Sequence, residues 1–136
     1  MPLIPNLTQQ IGGGGGSVNP MNSASICYEG QSATATIAFT TPTQMNELGI
    51  MTVVQLWDAV TDTGYARVEY SIDGSTFIQF HQENFSTNNQ AQIKVETVLN
   101  NDNESNFPNV PVMAVRLFVY SNRGARSRIT AAIFAV

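Results

Sequence analysis

Few side chains of this sequence could support catalysis. His81 is the single histidine and Cys27 the single cysteine among the 136 residues. A histidine-activated serine would need a sharp turn such as G-x-S-x-G, which is absent. No basic neighbour in the sequence would stabilise a thiolate at Cys27, which we interpret as a small packing residue. We therefore expect no catalytic residue and no enzyme activity, and we interpret His81 as a surface or half-buried structural side chain.

Oxygen ligands for a cation occur in two polar loops. One contains Asp102, Asn103 and Glu104, and the other contains Asp58 and Asp62. Such oxygens suit Ca²⁺, but the spacing departs from an EF-hand loop, and Asn and Asp also support turns without any metal. Zinc would need more Cys and His ligands. We expect no metal and no cofactor, with calcium at these loops as the alternative.

Half of the six basic residues fall within six positions, at Arg123, Arg126 and Arg128. On a chain of net charge −4, this turn could bind a carboxylate or an acidic partner surface through bidentate contacts. The alternative is an exposed turn whose arginines pair with Glu residues of adjacent strands. We favour contact with a protein partner.

Three aromatic residues form a second candidate site. Trp57, Tyr65 and Tyr120 could make a sugar-stacking ligand platform if they gather at one end of the fold. Aromatic side chains in strands also commonly fill the core, which is the alternative.

Composition excludes several function classes. Charged residues make up only 12%, with Lys94 the single lysine, whereas 45 residues are Asn, Gln, Thr or Ser. The acidic balance argues against nucleic-acid binding, which depends on Lys and Arg at phosphates. No apolar run approaches the roughly 18 residues of a membrane helix, and no signal peptide is predicted. A surface of amides and hydroxyls with few charges suits contact with other proteins.

The first 31 residues differ from the rest. Residues 12–16 are five glycines, preceded by aliphatic side chains between prolines. We predict a flexible, extended N-terminal arm over residues 1–31 and a domain over residues 32–136. The alternatives are a disordered terminus without a partner and an engineered linker. If the arm docks on a neighbouring subunit, its contacts come from four residues: Leu3, Ile4, Leu7 and Ile11.

Alternating apolar and polar residues predict β-strands through the rest of the chain. Asp73-Gly74 predicts a two-residue type I′ hairpin turn, with Val68, Tyr70 and Ile72 on one face of the strand before it. Further runs at 33–40, 50–57, 91–99, 112–121 and 128–136 also have strand character, and residues 100–111 have loop character. We predict an all-β fold, an antiparallel, jelly-roll-like β-sandwich of about seven or eight strands.

Two resemblances add to this interpretation. Residues 70–77, Y-S-I-D-G-S-T-F, resemble the hairpin of discoidin-like, galactose-binding-like jelly rolls, in which a later strand is similar to residues 114–119, A-V-R-L-F-V. This resemblance implies a β-sandwich that binds sugars, lipid head groups or proteins through loops at one end. The disulfide frequent in that family is impossible with one cysteine.

In overall build, the chain resembles a bacteriophage capsid decoration (cement) protein or a small tail or fibre-associated protein. That resemblance implies a structural virion protein made in the host cytoplasm. It also implies protein partners in a capsid or tail lattice and a homo-oligomer, often a trimer in such proteins. A discoidin-like carbohydrate-binding module and an adhesion protein of a phage tail or fibre are the alternatives.

Overall fold

The computed structural model describes residues 22–57, 61–89, 91–122 and 127–136. These residues form eight β-strands and no helix, so no helix among them could cross a membrane. In chain order the strands are β1 (Asn22–Glu29), β2 (Ser32–Thr43), β3 (Leu48–Leu56), β4 (Thr63–Ser71), β5 (Ile78–Ser86), β6 (Gln92–Leu99), β7 (Val112–Ser121) and β8 (Ser127–Ala135).

The strands form two four-stranded sheets, in the orders β1-β8-β3-β6 and β2-β7-β4-β5. All strand pairs in both sheets are antiparallel. Successive strands mostly alternate between the sheets, as in an eight-stranded jelly roll. The predicted all-β antiparallel sandwich is therefore confirmed.

The core lies between the two sheets and follows the alternation of the sequence. Along β7, Val115, Leu117 and Val119 are completely buried, while the residues between them reach the outer face. Ile129 and Ile133 on β8 face them from the opposite sheet and are equally buried. Each such side chain stabilises the fold by roughly 1.5–3 kcal/mol through the removal of apolar area from water.

The sandwich begins earlier than residue 32, the predicted boundary. Asn22–Glu29 forms β1, an edge strand that pairs with β8 along its whole length. Ala24 and Ile26 pack against the core, whereas the polar, small residues between them are exposed. The prediction includes this strand in the arm because prolines and a run of five glycines precede it. Residues 1–21 lie outside the described part of the chain.

The Asp73-Gly74 connection between β4 and β5 is longer than a two-residue turn. A type I′ turn requires positive φ at both central residues, and only Gly74 has one, at 88°. The Asp73 carboxylate instead accepts hydrogen bonds from the backbone N–H groups of Ser75 and Thr76, at 2.8 Å each. Ile72, predicted to share the inward face of the strand, is 53% exposed in this loop.

Candidate functional site

The outward face of the β1-β8-β3-β6 sheet carries an apolar area. The strand register places Val98, Gly49 and Phe134 in one row across β6, β3 and β8. The ring of Phe134 lies 3.7 Å from the position that a Cβ of Gly49 would occupy, so the ring rests against the glycine. Val98 is 53% and Phe134 36% exposed. We name this surface the apolar face, and define it by Val98 and Phe134 together with two half-buried residues of β3, Met51 and Val53.

Ion pairs border the apolar face. Lys94 Nζ lies 2.6 Å from Glu96 Oε2 on the edge strand β6. Arg128 Nη2 lies 3.8 Å from Glu29 Oε2, across β8 and β1. An apolar centre with a polar, charged rim is the usual anatomy of a protein–protein interface.

The outward face of the other sheet has a different chemistry. Its side chains are aromatic rings, guanidinium groups, amides and hydroxyls, with a single carboxylate. We name it the planar face, after its planar aromatic, guanidinium and amide groups. In the strand order β2, β7, β4, β5, its three rows are Ser32, Tyr120, Tyr65 and Asn84; Thr34, Phe118, Arg67 and Gln82; and Thr36, Arg116, Glu69 and Gln79.

Ring contacts connect the first two rows of the planar face. The rings of Tyr65 and Tyr120 stack across β4 and β7, with centroids 5.3 Å apart and an interplanar angle of 23°. Phe118 lies 6.0 Å from Tyr65. The guanidinium of Arg67 lies 4.7 Å from the Phe118 centroid and 5.5 Å from that of Tyr65. This geometry favours a cation–π contact and keeps the arginine close to the sheet.

One carboxylate serves both arginines of the planar face. Arg116 Nε donates a 2.6 Å hydrogen bond to Glu69 Oε1. Arg67 Nε lies 3.3 Å from Glu69 Oε2 but makes no hydrogen bond. Arg116 also lies over the ring of Phe77, at 3.7 Å. The side chain of Glu69 is only 10% exposed, so the pairs are partly shielded from water.

The predicted aromatic platform is divided between the sheets. Tyr65 and Tyr120 are direct neighbours in the planar face. Trp57 directly follows β3, in the other sheet, and is 61% exposed. The structure therefore brings together two of the three residues, in a row at one end of the sheet, next to the first residue of β2 and the last residue of β7.

The predicted partner-binding residues are only partly described. Arg128 lies on the outer face of β8, where it pairs with Glu29. This contact agrees with the alternative interpretation, in which the arginines pair with Glu residues of adjacent strands. The remaining members lie outside the described residues, so their role stays a prediction: Leu3, Ile4, Leu7, Ile11, Arg123 and Arg126.

His81 forms a polar cluster on the inner side of edge strand β5. Its Nδ1 lies 2.7 Å from Glu104 Oε2 and its Nε2 lies 3.7 Å from Glu83 Oε2. Thr97 on β6 donates a 3.1 Å hydrogen bond to Glu83 Oε1. The hydrogen bond from His81 holds the pKa of Glu104 below its ordinary value, with help from the Asn106 N–H and against the effect of burial. The half-buried histidine thus connects β5 with the loop of residues 100–111.

Several oxygens of the two oxygen-rich loops are used within the protein. Asn100 Oδ1 accepts hydrogen bonds from the backbone N–H groups of Asp102 and Asn103, which is a turn role. Asp62 is buried and accepts a 2.7 Å hydrogen bond from Ser121, whereas Asp58 lies outside the described residues. Within the described ranges, no three His, Cys, Asp or Glu residues are placed to share a metal ion.

The interpretation of Cys27 as a packing residue is wrong. The thiol is exposed on the outer side of β1, and Thr130 Oγ1 lies 3.6 Å from its sulfur. The alternation of β1 turns Ile26 toward the core and Cys27 away from it.

Sequence reasoning missed the apolar face as a site, and of the planar face it identified only Tyr65 and Tyr120. A signal for the apolar face was present, because Ile50, Met51, Val53 and Val54 place apolar side chains on both faces of β3. The planar face had no local signal, since its rows combine residues from strands far apart in the chain.

No protein-family model matches the chain, and no curated protein is similar to it in sequence. Similar solved structures include the module CBM32 of AlyQ in complex with 4,5-unsaturated mannuronic acid, at 7% identity and TM-score 0.46, covering 82% of this chain and 76% of that one. CBM28, a carbohydrate-binding module specific for non-crystalline cellulose, has 8% identity and TM-score 0.47, with 83% and 71% covered. VP2 of the infectious bursal disease virus subviral particle has 9% identity and TM-score 0.49, with 88% of this chain and 34% of that chain covered. These structures include both classes that the sequence resembles, and at such identities the likeness concerns the fold alone.

Proposed function

We propose that this chain is a structural assembly protein that binds other protein subunits through the apolar face. The observation that carries the proposal is the row of Val98, Gly49 and Phe134, an exposed apolar area on a sheet of a low-charge protein. Contact between such an area and water is unfavourable, so a complex in which a partner covers the area is stabilised. The bordering ion pairs remain at the rim, where they need no desolvation.

In particular, we propose a decoration (cement) protein of a bacteriophage capsid. The jelly roll would be the compact unit, and the aliphatic residues before the glycine run would bind a neighbouring subunit. Such a protein needs no catalytic residue, because it acts by adding buried area and connecting subunits. Many copies with modest individual affinity can stabilise a shell strongly, since contacts made by linked sites are effectively intramolecular.

The proposal is tested by a charge placed in the apolar face. Val98→Lys and Phe134→Lys should abolish self-association of the full chain in sedimentation velocity, and also its binding to purified phage particles. Gln92→Lys is the matched control, because Gln92 is an exposed residue of the same strand, outside the apolar face. Equal binding by all three variants, or absence of the protein from particles of the phage that encodes it, would overturn the proposal.

A further inference from the structure

We infer that the planar face is a binding site for an acidic carbohydrate chain, a polyuronate. It lies on the sheet opposite the apolar face, so it is independent of the proposed assembly role. The juxtaposition that supports it is the stacked Tyr65–Tyr120 pair beside Arg67, which shares one carboxylate with Arg116.

The balance of donors and acceptors indicates an anionic ligand. Each guanidinium carries five N–H donors, whereas Glu69 offers two oxygens to both arginines. The side chains of Arg67 and Arg116 are 27% and 34% exposed, so both remain partly accessible to a ligand. The two arginines and one glutamate give a local excess of one positive charge on a chain of net charge −4. A second carboxylate, supplied by a ligand, would complete the pairing in bidentate geometry.

The remaining side chains indicate that the carboxylate belongs to a sugar. Tyr65, Tyr120 and Phe118 present half-buried rings, which can contact the C–H groups of pyranose rings. Gln82 and Asn84 on β5 and Thr34 on β2 flank these rings with amides and a hydroxyl, which can both donate to and accept from sugar hydroxyls.

A protein partner fits this surface less well. Its rows contain no Val, Leu, Ile or Met side chain, in contrast to the apolar face of the opposite sheet. The flanking amides are already aligned along the edge strand, since Gln82 Nε2 donates to Asn84 Oδ1 at 2.8 Å and Gln79 Nε2 lies 3.4 Å from Gln82 Oε1. A partly ordered amide row lowers the entropy lost when a polar chain binds along it.

The test measures binding of the full chain by isothermal titration calorimetry at physiological salt. The probes are a polyuronate, a neutral galactan or glucan, and poly-glutamate as an acidic chain without sugar. Arg67→Gln should weaken polyuronate binding about tenfold or more, because it removes a charge-assisted contact. Gln82→Ala, on the exposed edge strand, should weaken it about threefold through a neutral hydrogen bond and does not disturb the core. Lys94→Gln, which removes a positive charge from the opposite sheet, is the matched control.

Polyuronate binding that Arg67→Gln and Gln82→Ala weaken and Lys94→Gln does not would support the inference. It would be overturned if the wild-type chain bound no polyuronate, bound only the neutral glycan, or bound poly-glutamate equally well. Equal losses with Lys94→Gln and Arg67→Gln would also overturn it, because they would indicate attraction by net charge alone. None of these results depends on self-association, so the assembly proposal stands or falls separately.

Discussion

His81 Nδ1 lies 2.7 Å from Glu104 Oε2, and this contact fastens the loop of residues 100–111 to edge strand β5. The pKa of Glu104 is held below its ordinary value of 4.5 by this hydrogen bond. A carboxyl group whose pKa is lower in the folded than in the unfolded protein stabilises the folded state. This stabilisation is complete at pH values above the pKa of the unfolded state, and it is lost as the pH falls through the pKa of the folded state. Stability against urea should therefore decrease as the pH falls below about 4.5.

Glu104→Gln should flatten this part of the pH profile, because an amide cannot lose or gain the proton. Urea unfolding of both proteins between pH 3 and pH 6 makes the comparison. Glu47→Gln, which removes an exposed carboxylate without this contact, is the control. If Glu104→Gln keeps the slope of the wild-type protein, the contact does not control acid stability.

Gly64 lies where β4 closely contacts the Phe85 ring and the backbone of β7, so a side chain has no room there. A Cβ there would overlap the Tyr120 carbonyl oxygen and lie 2.5 Å from the Phe85 ring. Gly64→Ala should therefore lower the free energy of unfolding by about 3 kcal/mol, since a backbone atom cannot move aside easily.

Gly49→Ala is the matched substitution in the other sheet. A Cβ at Gly49 would meet only Phe134, at an ordinary contact distance of 3.7 Å. Its stability should be equal to that of the wild-type protein or higher by up to about 1 kcal/mol, because alanine restricts the unfolded chain. Equal losses for the two variants in urea unfolding would contradict this account of Gly64.

Asp73 orders the connection between β4 and β5 through its side chain. Hydrogen bonds from the backbone N–H groups of Thr76 and Ser75 and from the Ser71 hydroxyl hold the pKa of Asp73 far below its ordinary value. Asp73→Ala should lower the thermal midpoint, and Asp73→Asn, which keeps an acceptor oxygen, should lower it less. A midpoint unchanged by Asp73→Ala would show that the turn does not depend on the carboxylate.

Deletion of residues 2–16 tests the proposed role of the N-terminal arm. We expect weaker binding to phage particles and less heat-stable particles, because the aliphatic residues and the glycine run are lost together. The isolated shortened chain should keep its circular dichroism spectrum, since all eight strands of the described residues lie outside the deleted segment. Particle stability that is the same with the full and shortened chains would exclude the arm as a connector between subunits.

Local alternation was sufficient to predict most of the strands and the fold class. Residues 91–99, for example, alternate between apolar and polar side chains, and this period of two predicts a half-buried strand, which the structure contains as β6. The same reasoning failed for β1, which follows prolines and a glycine run and which the structure pairs with β8 along its whole length. It also failed at Asp73, where the carboxylate, rather than positive φ at both central residues, makes the turn.

By itself, the sequence determined that the chain forms antiparallel strands, because strand formation follows from local periodicity. The residue types alone give no reason to expect a catalytic constellation or nucleic-acid binding. Only the tertiary structure decided which side chains meet. Tyr65 becomes the neighbour of Tyr120, and Val98 joins Phe134 through Gly49, because long-range pairing sets the strand order and register. The period of two fixes which side of a strand a residue occupies, but it contains no information about the adjacent strand.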